Sequence, residues 1–201
     1  IGFLTALFGA VAAVIGTRGD RRWVDASRRS TYAFCVLMFI CVGSLETSFL
    51  SDDFSVSVVA THSSIDTPLF YKFTAMWSSQ EGSLLLWAWV LSIVSTVALL
   101  VTRHKLRDIV PWATSIMLGV GVFFTGLMLF GGDVNPFATL SQVPVDGTGL
   151  NPLLQHPSMI IHPPMLYTGY VSLTVPFAFA IGALITRQVD AAWIKSTRGF
   201  A

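Results

Sequence analysis

The chain has 201 residues, of which 53% are hydrophobic and only 11% charged, and its formal net charge is +1. Soluble domains carry about 25% charged residues, so this composition predicts a protein embedded in a lipid bilayer. The near-neutral balance gives no sign of nucleic-acid binding. Cys35 and Cys41 lie in one apolar stretch. Their spacing predicts apolar filler side chains, and neither a redox pair nor a cysteine metal site.

Five apolar segments predict an all-α fold, a polytopic bundle of transmembrane helices. A span needs about 20 residues, which four segments supply: 31–50, 82–101, 112–130 and 165–186. The segment 1–16 is apolar throughout, but as a helix it reaches only ~24 Å. We interpret it as a truncated span and not as a signal peptide, because no small-residue cleavage site follows it.

Basic residues are concentrated on alternate connections between these spans. The segments 17–30, 102–111 and 187–201 hold eleven of the twelve lysines and arginines. The positive-inside rule therefore predicts that these three loops are cytoplasmic. It places the loops 51–81 and 131–164 on the outer face of the membrane, away from the cytoplasm. Long loops are usually functional or disordered, and the apolar and aromatic clusters here predict short interfacial helices.

His162 is the main candidate ligand in the outer loops. It follows the apolar run 159–161 and precedes Pro163 and Pro164, which fix the backbone and predict that the next helix starts here. A neutral imidazole on such a rigid turn is a suitable axial ligand for a haem iron. The alternative is a capping or interfacial histidine.

Other ionisable residues show weaker patterns. His156 lies in the same loop as His162, and His62 lies in a polar Thr-His-Ser-Ser stretch. His104 lies among basic residues, where we expect a solvated cytoplasmic group. Glu46 lies inside the second span near its outer end. An intramembrane carboxylate is often functional, although snorkelling or water contact also explains one near the interface.

Trp77, Glu81 and Trp87 flank the start of an apolar helix. Tryptophans mark membrane interfaces and a first-turn carboxylate is stabilised by the helix macrodipole, so a structural role accounts for them. The alternative is an aromatic platform for a flat hydrophobic cofactor. The sequence has no nucleotide-binding glycine loop and no Cys-x-x-Cys-His haem-attachment motif. The chain is therefore not itself predicted to be a c-type cytochrome.

Five stretches form a distinctive ordered set: FLSDDFSV from Phe49, PLFYKFTAMW from Pro68, EGSLLLW from Glu81, NPLLQ from Asn151 and HPPMLYTGYV from His162. With these stretches the whole chain resembles the CcmF family of cytochrome c maturation. That family falls in a wider group of haem-handling membrane proteins with CcmC and CcsA.

The resemblance implies cytochrome c maturation by a haem lyase complex on the outer face of the membrane. Such a protein receives haem b from a carrier of the CcmE type. It takes part in attaching the haem to apocytochrome c, alongside subunits of the CcmH type. The resemblance leaves open whether this chain is itself an enzyme, as a component of a cytochrome c synthetase. It implies His162 as a ligand of the haem iron, and the other candidate cofactor-binding residues are Trp77, Glu81, Trp87, His156, Pro163 and Tyr167.

The chain departs from the family pattern by omission. It contains no tryptophan-rich haem-binding domain of the family's WWD type, and the partner histidine is missing. We therefore interpret residues 1–201 as the amino-terminal part of a CcmF-like membrane domain, or one piece of a split protein. Two other functions stay open from the residues alone. One is a proton-coupled transporter or respiratory-complex subunit using Glu46, and the other is a non-catalytic scaffold for maturation proteins.

Overall fold

The computed structural model describes residues 1–102, 105–188 and 191–200, so the expectation for His104 lies outside the described residues. Within them the predicted all-α fold is confirmed, and the isolated pairing of Val56 with Thr139 is the one β-bridge. The helices are α1 (Gly2–Gly16), α2 (Arg21–Leu50), α3 (Ser57–His62), α4 (Leu69–Ala75), α5 (Gln80–Thr102), α6 (Ile109–Phe130), α7 (Ser158–Ser172), α8 (Thr174–Thr186) and α9 (Ala192–Thr197). Short 3₁₀ turns cover Met76–Ser78, Pro152–Leu154 and Arg198–Phe200.

In the described part of the chain, four helical units are long and apolar enough to cross a membrane: α2, α5, α6 and the α7–α8 pair. The shorter apolar helix α1 is the fifth predicted segment. The α7–α8 pair is interrupted at Leu173. Pro176 explains this break, because a proline has no backbone N–H for the carbonyl of Ser172 and its ring crowds that carbonyl.

The first basic segment is shorter as a loop than the sequence predicted. Helix α2 already begins at Arg21, so the turn after α1 spans only 17–20. Asp20 caps the helix, because its side chain accepts a hydrogen bond from the Arg22 backbone N–H at 2.9 Å. Arginine and alanine are good helix formers, so the 30-residue helix carries its basic residues on one continuous rod of ~45 Å.

Small residues let α1 pack closely against α2 and α6. The buried residues of α1 are all alanine or glycine: Ala6, Gly9, Ala12, Ala13 and Gly16. Small side chains at a helix contact allow backbones to approach, which is the usual mode of packing between transmembrane helices. The largest buried side chains of the bundle include Phe34 and Phe49 of α2 and Phe179 of α8.

The connections between spans fall into two groups at opposite ends of the bundle. Residues 51–79 and 131–157 form the end that we call the loop end. Four backbone hydrogen bonds join these segments, among them those from Ser57 to the Ala138 carbonyl at 2.8 Å and from Leu140 to the Ser55 carbonyl at 2.9 Å. At the other end, the basic end, Gln188 donates to Asp108 at 2.9 Å. The alternation predicted from the charges is therefore present in the fold.

A buried ion pair stabilises the loop end. The Lys72 Nζ lies 2.6 Å from a carboxylate oxygen of Asp52 and also donates to the Ile65 carbonyl at 3.3 Å. Only 7% of Lys72 is exposed. This contact ties α4 to the end of α2 and so sets the position of the polypeptide that follows.

Candidate functional site

Helix α7 starts earlier than the sequence predicted. It begins at Ser158, and Pro163 and Pro164 lie inside it. We expected the two prolines to start the helix, because a proline inside a helix removes a backbone donor. The missing donor at Pro163 would have bonded the Met159 carbonyl. In the structure the Trp77 indole N–H donates to that carbonyl at 2.6 Å, so the helix extends one turn ahead of the prolines.

Trp77 is held in place by a tight corner between the 3₁₀ turn and α5. The Ser79 hydroxyl accepts from the Gly82 backbone N–H at 3.0 Å and caps α5. A Cβ at Gly82 would lie 1.6 Å from the Met76 carbonyl oxygen, so only glycine fits there. Trp77 is 7% exposed and packs edge-on against Phe73 at 5.3 Å between ring centroids. The indole is therefore held in place by contacts outside α7.

Tyr167 makes a further contact of α7, in this case with α5. Its hydroxyl lies 3.3 Å from the Ser83 hydroxyl, and its ring centroid lies 5.2 Å from that of Trp87. Pro163 and Val171 are buried one helical turn to either side of Tyr167, so these three positions form the face of α7 that packs on the bundle. Three of the predicted cofactor residues, Trp87, Pro163 and Tyr167, thus lie at one helix contact.

His162 lies on the opposite, exposed face of α7. Among the described residues its imidazole has no hydrogen-bond or ion-pair partner. Below it on the same face lie large apolar side chains that are also exposed: Met165 at 67%, Leu166 at 42% and Tyr170 at 61%. An unpartnered imidazole at the head of an apolar surface can bind a metal ion carried by a flat, hydrophobic ring system.

The other two described histidines use their ring nitrogens within the protein. The Nδ1 of His156 accepts from the Ser158 backbone N–H at 3.1 Å, at the start of α7. The Nδ1 of His62 lies 2.9 Å from the Thr61 hydroxyl and 3.2 Å from the Val58 carbonyl. When Nδ1 of a neutral histidine accepts, Nε2 carries the proton and has no lone pair for a metal. Geometry therefore favours His162 over His156 as a ligand.

The two carboxylate candidates, Glu81 and Glu46, lie on helices other than α7. Glu81 is half-buried in the first turn of α5, where the macrodipole stabilises a negative charge. Among the described residues no group of three histidine, cysteine or carboxylate side chains is placed to hold a metal ion. Within those residues one oxygen of Glu46 is buried without a hydrogen-bond partner. A proton path through Glu46 would need hydrogen-bonding partners across the spans, and among the described residues this oxygen has none.

Three side chains that position the segment before α7 were not predicted from the sequence. Asn151 caps the 3₁₀ turn by accepting from the Leu153 N–H at 3.0 Å, and the Gln155 amide donates to the Leu150 carbonyl at 2.9 Å. The Tyr71 hydroxyl donates to the Gln155 carbonyl at 3.2 Å. These side chains fall within the stretches quoted above, but their spacing in sequence does not reveal contacts across the fold.

A comparison with known protein families matches the part of the chain that contains these contacts. A family model described as "Cytochrome C assembly protein" matches residues 77–200. The chain belongs to the cytochrome c assembly protein family. The match to this family begins at Trp77 and includes the whole of α7, so both partners of the Trp77–Met159 hydrogen bond lie within it.

Relatives of known name span much longer chains. The "Cytochrome c-type biogenesis protein CcmF" of Pseudomonas aeruginosa is 43% identical over 183 residues, covering 90% of this chain and 27% of that protein. The protein of the same name from Escherichia coli is 39% identical over 186 residues, covering 90% and 28%. A solved structure titled "Cytochrome c Heme Lyase CcmF" aligns with a TM-score of 0.81 at 26% identity, covering 100% of this chain and 31% of that one. Together with its apolar helices, these relatives identify the chain as a multi-pass membrane protein.

Proposed function

We propose that this chain takes part in attaching haem to apocytochrome c, with His162 as an axial ligand of the haem iron. The observation that carries the proposal is the free imidazole of His162, exposed on α7 above an apolar surface. The names of the relatives support the reaction class, although the chain spans about three tenths of their length. The activity of the whole protein is therefore part of the proposal.

The structure suggests how each group contributes. The ring nitrogen of His162 would hold the haem iron, and Met165, Leu166 and Tyr170 would offer an apolar surface to the porphyrin. Haem would supply the vinyl groups to which the acceptor's cysteine thiols add. Trp77 and Pro163 hold the first turns of α7, so that the backbone at His162 keeps one position. A ligand on a fixed backbone lowers the cost of bringing haem and acceptor together in the reactive geometry.

The proposal includes a location and partners. The loop end faces the periplasm and the basic end faces the cytoplasm of a bacterial or archaeal inner membrane, because basic residues favour the cytoplasmic side. Haem b would arrive from a carrier of the CcmE type, and subunits of the CcmH type would bring apocytochrome c. A second ligand and a tryptophan-rich segment would complete the haem site.

Replacing His162 by alanine in the full-length protein tests the role directly. We expect c-type cytochrome maturation, measured as covalent haem after denaturing electrophoresis, to fall at least about tenfold, since an axial ligand is lost. The matched control is His156→Ala, which removes a histidine of the same loop that caps α7. Unchanged maturation in H162A, or an equal loss in H156A, contradicts the assignment.

The visible spectrum of the purified protein separates haem binding from a scaffold role. Added haem should give the spectrum of a histidine-ligated iron in the wild type and lose it in H162A. Added imidazole should restore part of that spectrum, because it fills the vacated ligand position. A scaffold that binds no haem would give the same spectrum in both proteins.

A further inference from the structure

A polar cleft lies at the basic end, at the opposite end of the bundle from His162. It has a volume of about 720 Å³ and opens between the α1–α2 turn, the start of α6 and the end of α8. Clefts of this size hold small molecules or headgroups. Its lining includes three arginines, Arg21, Arg28 and Arg107, and two aspartates, Asp25 and Asp108.

The described side chains that line the cleft carry one net positive charge, from three arginines and two aspartates. Each aspartate already has a neighbour: Asp25 lies 3.8 Å from Arg28, and Asp108 accepts from the Gln188 amide at 2.9 Å. Two helices begin at this cleft and two end there, so their dipoles offset one another. The arginines therefore supply the attraction for an anion, and the planar guanidinium matches two phosphate oxygens at once.

Two aromatic side chains place the cleft at the level of lipid headgroups. Tyr32 and Trp112 both line it, and both lie at the start of an apolar stretch, in α2 and α6 respectively. Tyrosine and tryptophan concentrate where hydrocarbon meets headgroups. The arginines thus lie where the phosphates of the adjoining leaflet are found.

We infer that this cleft binds the phosphodiester of an anionic phospholipid. A phosphodiester carries one negative charge, which balances the single net charge of the described lining. A phosphate monoester carries about −1.5 to −2, so it would leave excess negative charge beside Asp25 and Asp108. A zwitterionic headgroup adds a cation that the arginines repel. Basic pockets between transmembrane helices on the cytoplasmic side commonly take anionic lipids.

Binding of short-chain lipids to the full-length protein in detergent tests this inference. The probes are dioctanoyl phosphatidylglycerol, dioctanoyl phosphatidylcholine and inorganic phosphate. Replacing all three cleft arginines by glutamine should weaken phosphatidylglycerol binding by about 100-fold, because each basic residue near a lipid surface contributes about fivefold. The matched control replaces three exposed arginines outside this cleft, Arg18, Arg22 and Arg29, and should stay within about threefold of wild type.

Several outcomes would overturn the inference. Equal weakening in the two triple variants means a diffuse basic belt and no site. Inorganic phosphate or phosphatidylcholine binding as tightly as phosphatidylglycerol rules out an anionic phosphodiester lipid. If the triple variant fails to fold, the single variant R107Q tests the site instead. Arg107 is exposed at the rim of the cleft, so we expect its replacement to leave the fold intact. It should weaken phosphatidylglycerol binding by about fivefold, and no change refutes the site.

Discussion

The hydrogen bond from Trp77 to Met159 offers the sharpest test of how the site is built. In Trp77→Phe the ring still packs against Phe73, but the Met159 carbonyl loses its donor because Pro163 cannot supply one. A polar group left unpaired in a partly buried contact costs about 1–3 kcal/mol. We expect W77F to lose about 1–2 kcal/mol of unfolding free energy, since the contact is part-buried.

A matched tryptophan provides the control. The Trp89 indole N–H is buried and has no hydrogen-bond partner among the described residues, and its ring packs on Phe39 at 5.2 Å. Trp89→Phe therefore removes an unpaired donor and should cost less than W77F. Denaturant titration of the full-length protein measures both losses, and hydrogen exchange should rise in the peptides around 158–162 only in W77F. Equal losses would refute the reasoning.

A double-mutant cycle sharpens the same test. Pro163→Ala restores a backbone N–H at the position from which helical bonding reaches the Met159 carbonyl. The alanine therefore supplies a new partner when Trp77 is replaced. We expect W77F to cost less in the P163A background than alone, with a coupling of about 1 kcal/mol. Additive losses would mean that the indole stabilises the protein only by packing.

Two further predictions concern the corner before α5 and the loop end. Gly82→Ala should prevent accumulation of folded protein, because its Cβ would lie 1.6 Å from the Met76 carbonyl oxygen. The control Gly43→Ala has open space around it and should be neutral or stabilising by up to about 1 kcal/mol. The yield of each variant in the membrane fraction checks both predictions. Lys72→Met should destabilise by about 2–3 kcal/mol by leaving Asp52 without its partner, and thermal unfolding measures this. Recovery in a variant that also replaces Asp52 by asparagine, which tolerates the left-handed backbone of this residue (φ 54°), would confirm the ion pair as the cause, and an unchanged melting temperature in K72M would contradict it.

Some features of the candidate site could be predicted from the sequence because they depend on local chemistry. His162 was chosen as a candidate because a histidine beside two prolines in an outer loop combines a possible ligand with a constrained backbone, and its role as a ligand stays a prediction. The candidates Trp87 and Tyr167 do meet, at the contact of α5 and α7, and Pro163 is buried on the same face of α7 as Tyr167. The contacts that each side chain makes could not be predicted. Spacing along the chain does not show that the Trp77 indole donates to a helical carbonyl 82 residues away.

The number and order of the spans and the alternation of their connections follow from the sequence, because both depend on the length of apolar runs and on where charges fall. These are one-dimensional properties that a bilayer imposes on any helix. Where α7 begins and which ring nitrogens have partners depend on contacts in the folded protein. The Trp77 indole comes from a distant segment and lets α7 begin ahead of its prolines, whereas His156 accepts from the backbone of Ser158, two residues away, in the turn that starts α7. His162, one turn further on, is left unpartnered.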